Sequence, residues 1–265
     1  MRITANGISI NYEIHGRGEN LVLIHGAGDN LKMWYRQVPV LSHRYRVITM
    51  DIRGHGQTES PEGSYSVPLF AEDVYELIKT IGIKKAYFLG YSMGGGIAIG
   101  VALQYPEMVR ALILANTPVG SPPFPFFLER QRSNAELLAK GDIKTVAENM
   151  TTDAFSPGFR SRNSAEFERY MKVKLQNGVV GMSRMSGSSR APGSAQRAAP
   201  DLSKLQCPVL MILGENDVYM DVGQVKQAGK RIPGARLVIL PTGHASAIES
   251  PERFNTAVLD FLSGC

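Results

Sequence analysis

Short apolar runs alternate along this chain with stretches in which apolar residues recur every three or four positions. That alternation predicts strands followed by helices. Ile8-Ser9-Ile10-Asn11-Tyr12-Glu13-Ile14 has a period of two and reads as a half-buried strand. Leu21-Val22-Leu23-Ile24, Ala86-Tyr87-Phe88-Leu89, Ala111-Leu112-Ile113-Leu114-Ala115 and Val209-Leu210-Met211-Ile212-Leu213 are continuous apolar runs. Such runs suit parallel strands covered on both faces. Tyr45–Met50 and Arg236–Leu240 complete the series. Phe70, Val74, Leu77, Ile78 and Ile81 keep helical spacing over about 68–81, and further helices are predicted at about 93–105, 221–231 and 251–262.

The rhythm breaks after Ala115. Pro118, Pro122, Pro123 and Pro125 cluster with Phe124, Phe126 and Phe127, and the stretch up to Pro200 mixes helical with irregular patterns. Strands alternating with helices on either side of this break predict an α/β fold with a mostly parallel sheet. The organisation expected is one core domain built from residues 1–119 and 201–265, with residues 120–200 inserted as a lid.

Composition narrows the picture. A chain of 265 residues buries a core without metals or crosslinks, and 43% hydrophobic with 20% charged residues excludes a disordered chain. Cys207 and Cys265 are read as a small buried residue and a tail thiol. No apolar run approaches the roughly 18 residues of a membrane span. Residues 1–7 carry no apolar signal-peptide segment, so a cytoplasmic location is expected. The net charge of +5 lies wholly in the insertion, whose 12 Lys+Arg face 7 Asp+Glu while the remainder is balanced. This is a solvated basic surface or a device that steers anionic substrates, with Arg130 and Arg190 as candidates. No nucleic-acid motif accompanies it.

Four motifs carry chemistry, each directly after a predicted strand. Gly90-Tyr91-Ser92-Met93-Gly94 places a serine on a sharp strand-to-helix turn, where the helix dipole favours developing negative charge. His25-Gly26-Ala27-Gly28 is a loop whose backbone N–H donates to an oxyanion, from Ala27 or alternatively Gly28, opposite the N–H of Met93. Gly214-Glu215-Asn216-Asp217 supplies a carboxylate, with Asp217 favoured over Glu215 and Asp221. Gly243-His244-Ala245 supplies the base; of five histidines it alone follows both serine and acid in the order Ser, Asp, His. Gly26, Gly28, Tyr91, Phe124, Phe126 and Phe127 are candidates for contact with substrate, the aromatics as acyl pocket or lid core.

With these motifs and Asp51-Ile52-Arg53-Gly54-His55-Gly56, the chain resembles serine hydrolases of the α/β-hydrolase fold over nearly its full length, the insertion excepted. The resemblance implies an eight-stranded, mostly parallel sheet with a helical lid between strands 6 and 7. It implies cleavage of small carboxylic esters or lactones through Ser92, His244 and Asp217 and an acyl-enzyme, with no metal or cofactor. It makes Asp51 and His55 loop-shaping residues; His25 is read likewise as a turn residue. Ser92 departs from the dehalogenases and epoxide hydrolases, whose nucleophile is aspartate. Gly96 departs from the arginine of the menaquinone-pathway synthase, and Ala245 from the tryptophan of ring-cleavage C–C hydrolases. Ala27 departs from the aromatic residue of perhydrolases. General carboxylesterases and enol-lactonases resemble the chain most. C–C hydrolysis, acyl transfer and a signal-binding protein with weak turnover are the alternatives.

Overall fold

The computed structural model describes residues 1–63, 65–119, 124–177 and 200–265. Its strands are β1 (Arg2–Ala5), β2 (Ile8–His15), β3 (Glu19–Ile24), β4 (Tyr45–Met50), β5 (Ala86–Tyr91), β6 (Val109–Ala115), β7 (Val209–Gly214) and β8 (Arg236–Leu240). Among the described residues the helices are α1 (Val38–Leu41), α2 (Val67–Thr80), α3 (Met93–Gln104), α4 (Pro125–Ala139), α5 (Ile143–Ala154), α6 (Phe159–Arg162), α7 (Ser164–Leu175), α8 (Val222–Gly229), α9 (Ser246–Glu249) and α10 (Pro251–Leu262). A 3-10 turn at Leu31–Arg36 precedes α1.

The strands form one sheet in the order β1-β2-β4-β3-β5-β6-β7-β8. The β1–β2 and β2–β4 pairs are antiparallel, and every later pair is parallel. The period-two pattern that begins at Ile8 accounts for β2, and the short strand β1 lies before it. Asn6 and Gly7, at φ 47° and 72°, turn β1 back onto β2 and pair Ala5 with Ile8. Positive φ at both central residues marks a type I′ hairpin, and Asn-Gly is its strongest sequence signal.

The continuous apolar runs do cover two faces. Val22, Ile24, Phe88 and Leu112 pack with Phe70, Val74 and Leu77 of α2, Ile97 and Val101 of α3 and Val225 of α8. Their neighbours Leu21, Leu23, Leu89 and Ile113 point the other way, toward Trp34, Phe254 and Val258, with Phe167 and Tyr170 of α7. Helix α3 is apolar on all sides because it lies against the sheet centre and under α2. Ser66 caps α2 by accepting from the Leu69 N–H, and Pro68 fits its first turn.

Helices α4 to α7 stand between β6 and β7 in the chain. Leu138 of α4 and Val146 of α5 make a small apolar cluster of their own. Positions 120–123 and 178–199 of the expected lid, Arg190 included, lie outside the described residues. No described helix is long and apolar enough to cross a membrane.

Candidate active site

The carboxyl ends of β3, β5, β6, β7 and β8 lie side by side, so the loops that follow them converge on one edge of the sheet. Ser92 follows β5 at φ 53° and ψ −116°, a strained backbone for a residue with a Cβ, and α3 begins at the next residue. Its N–H donates to the Ala115 carbonyl at 2.8 Å, which ties the turn to β6. The turn closes because Gly94 passes against β3: a Cβ there would stand 2.2 Å from the Ile24 carbonyl oxygen.

His244 Nε2 lies 2.9 Å from Ser92 Oγ, and His244 Nδ1 lies 2.6 Å from Asp217 Oδ2. A carboxylate acceptor at Nδ1 fixes the tautomer with the proton on that nitrogen, leaving Nε2 to accept from the hydroxyl. The Asp217 side chain is fully buried. Its Oδ1 accepts from the Tyr219 N–H at 2.9 Å, and its Oδ2 also accepts from Asn116 Nδ2 at 3.1 Å. The competing carboxylates stand elsewhere: Glu215 is exposed, and Asp221 accepts from the Gln224 N–H to cap α8.

Asn116, directly after β6, is not among the residues the sequence singles out. In the fold it follows β6 at φ 47°, donates to Asp217 and to the Gly243 carbonyl (3.4 Å), and accepts from Ser246 Oγ. One amide thus links the loops that carry Asp217 and His244. The available signal was its position at the carboxyl end of the strand beside β5.

The loop after β3 is held by two neutral histidines. His25 Nδ1 donates to the Gly26 carbonyl at 2.8 Å, while its Nε2 accepts from the Ile52 N–H at 2.9 Å. His55 Nδ1 donates to the Arg53 carbonyl, and its Nε2 accepts from the Gly28 N–H at 3.3 Å. Burial lowers both to a pKa of about 4, and for His55 the neighbouring His25 lowers it further. Asp51 Oδ1 accepts from the Leu31 N–H, and its Oδ2 from Gln57 N–H and Asn11 Nδ2. Gly28, the alternative donor, therefore has its N–H engaged by His55. Ala27 is the residue of the run Leu21–Leu31 that is not buried, and no described group accepts its N–H.

The aromatic candidates divide. Phe126 and Phe127 pack on Tyr219 at ring separations of 6.2 and 5.9 Å, and Tyr219 sets its ring edge-on to His244 at 4.9 Å. Tyr91 is buried beneath Gly26 and tilts against His244 at 5.1 Å. Phe124 is 37% exposed. Burial raises the Tyr219 hydroxyl well above the usual tyrosine range, with Asp153 adding to it. Arg130, a candidate for anionic substrates, donates to Asp153 Oδ1 at 3.0 Å, and the Tyr219 hydroxyl lies 3.4 Å from Asp153 Oδ2.

A parallel sheet with helices on both faces and a strained serine at a strand-to-helix turn define a class. Residues 19–251 match the sequence profile of the alpha/beta hydrolase fold, and the chain belongs to that family. It is 29% identical over 260 residues to 3-oxoadipate enol-lactonase 2 of Acinetobacter baylyi, covering 97% of this chain and 94% of that one. The enol-lactonase of Burkholderia xenovorans superposes with a TM-score of 0.88 at 27% identity, covering 99% of this chain and all of the other. A thermophilic esterase of Thermogutta terrifontis gives 0.88 at 26% identity, covering 100% and 98%. The family and these relatives make the protein a hydrolase.

Proposed function

We propose that the protein hydrolyses small carboxylic esters or lactones through an acyl-enzyme on Ser92. The observation that carries this is the unbroken chain Ser92 Oγ, His244 Nε2, His244 Nδ1, Asp217 Oδ2, with links of 2.9 and 2.6 Å. His244 takes the hydroxyl proton as Ser92 attacks the carbonyl carbon, and delivers it to the leaving oxygen. Asp217 stabilises the imidazolium that forms between these steps. The carbonyl oxygen, now an anion, is received by the N–H groups of Ala27 and Met93, each worth a factor of roughly 10² to 10³ in rate. Water activated by His244 then clears the acyl group. Helices α4 to α7 act as a lid over the acyl side: Phe126 and Phe127 of α4 press on Tyr219, which presses on His244. Ester or lactone substrates are favoured because two of the relatives named above are enol-lactonases and a third an esterase.

The test is turnover of nitrophenyl esters of increasing acyl length and of small lactones, in the wild type and in the Ser92→Ala and His244→Ala variants. Multiple turnover that falls with acyl length and vanishes in both variants, with circular dichroism unchanged, is the expected result. Turnover that survives Ser92→Ala excludes the acyl-enzyme.

A further inference from the structure

The loop that carries Ala27 is held from the far side by helix α7 and the residue two places beyond it. Lys174 Nζ, on α7, donates to Asp29 Oδ1 at 2.7 Å, and the Tyr170 hydroxyl donates to Asp29 Oδ2 at 3.0 Å. Lys174 Nζ also lies 3.3 Å from the Tyr170 oxygen. Asn177 donates from Nδ2 to the Gly28 carbonyl at 2.6 Å and accepts at Oδ1 from the Gly56 N–H at 2.8 Å. Asn30 Nδ2 donates to the Val173 carbonyl at 2.8 Å. The side chains of Lys174 and Asp29 are 3% and 1% exposed.

Two features make this more than packing. Replacing a buried ion pair by a well-packed apolar pair is often neutral or stabilising, so stability is a weak reason for a lysine and an aspartate here. What charged, directional bonds supply is a unique geometry. The second feature is what they leave over. The Gly26 carbonyl accepts from the Asp29 N–H, the Gly28 N–H goes to His55, the Gly28 carbonyl is taken by Asn177, and both Asp29 oxygens are filled. The Ala27 N–H is left without an acceptor among the described groups. A displacement of about 1 Å in such a donor costs up to roughly a hundredfold in rate.

We infer that Lys174 and Asn177 are positioning residues for the oxyanion donor, acting from the inserted segment through Asp29 and Gly28 on the Ala27 N–H. The inference rests on Ala27 serving as that donor. The insertion then does more than cover the site, because it sets the aim of an amide on the opposite loop.

The experiment measures kcat, KM and the inhibition constant of a trifluoromethyl ketone, whose adduct with serine carries the anionic oxygen. It uses Asn177→Ala, Lys174→Met and the double variant Asp29→Asn/Lys174→Met, which leaves no unpaired buried charge. Active sites are counted with a fluorophosphonate, so unfolded protein does not enter kcat. A positioning role predicts that Asn177→Ala lowers kcat tenfold or more with KM within about twofold of the wild type. The ketone's inhibition constant should rise by the factor that kcat/KM falls. Melting temperatures that drop while kcat per titrated site and the ketone affinity stay put overturn the inference and leave only a structural strut. If Lys174→Met does not fold, Asn177→Ala and the double variant still decide. Turnover in Ser92→Ala would instead sink the reading of the site itself, which separates the two failures.

Discussion

Ser92 occupies a backbone region that residues with a Cβ avoid, at a cost of about 1–3 kcal/mol. Two neighbouring elements hold that turn: the Ser92 N–H donates to the Ala115 carbonyl of β6, and Ser92 stands at the N-terminus of α3, where the helix dipole favours negative charge. Orientation of the imidazole depends on Asp217, and orientation of Asp217 depends on Asn116. Asp217→Asn leaves a hydrogen-bond partner but favours the wrong tautomer, so kcat should fall by about 10⁴ rather than to zero. Asn116→Ala removes one of the bonds to Asp217 and the Ser246 contact, and a smaller loss of about tenfold in kcat is expected. Steady-state kinetics on the best ester of the panel checks both. An Asp217→Asn variant as fast as the wild type would move the acid elsewhere.

At the scale of elements, the loop after β8 is gripped by the insertion rather than free. The Ala245 N–H donates to the Ala154 carbonyl at the end of α5 at 2.7 Å. Glu249 Oε2 accepts from the N–H groups of Gly243 (2.8 Å) and Ser156 (3.0 Å), and the Ser156 hydroxyl donates to Glu249 Oε1. The approach is so close that a Cβ at residue 243 would stand 2.6 Å from the Phe155 carbonyl carbon. Gly243→Ala should therefore push α5 and the histidine loop apart. The cost is about 1–3 kcal/mol, the range for overpacking a tight contact. That lowers Tm by roughly 2–10 °C. A thermal melt together with kcat tests it; a variant with both unchanged would mean the two segments separate without strain.

Over the whole molecule, His25 and His55 couple the site's scaffold to pH. Each has a pKa of about 4 in the fold against 6.5 for an ordinary histidine. Between those values the unfolded chain binds more protons than the folded one, so stability falls as pH drops through this window and is fully present above it. Each histidine contributes up to about 1.4 kcal/mol per pH unit there. Urea unfolding at pH 7 and pH 5 should show the loss, and His55→Gln should flatten the dependence on pH. A slope unchanged in that variant would place the effect in other groups. Part of the insertion's positive charge is paired: Arg130 with Asp153 and Arg160 with Glu148 within it, and Lys174 with Asp29 of the core.

The sequence by itself determined the succession of strands and helices, because burial on two faces demands continuous apolar runs and burial on one demands alternation. The Asn6–Gly7 turn was present as a dipeptide just before the period-two pattern that begins at Ile8, and the four-residue strand ahead of it was too short to show a pattern of its own. The candidate loops stood out for a similar reason: a sharp turn, a loop close to a helix N-terminus and a strand-end carboxylate each require particular residues at fixed local spacing. Only the tertiary structure decided which groups meet. Asn116 bridging Asp217 and Ser246, Glu249 clamping Gly243, and Lys174 reaching Asp29 join residues 101, 130, 6 and 145 positions apart. Even the nearest of these pairs depends on where a loop docks. Such contacts leave no periodicity or local motif in the chain, because the distances that make them are set by how the inserted helices settle on the sheet.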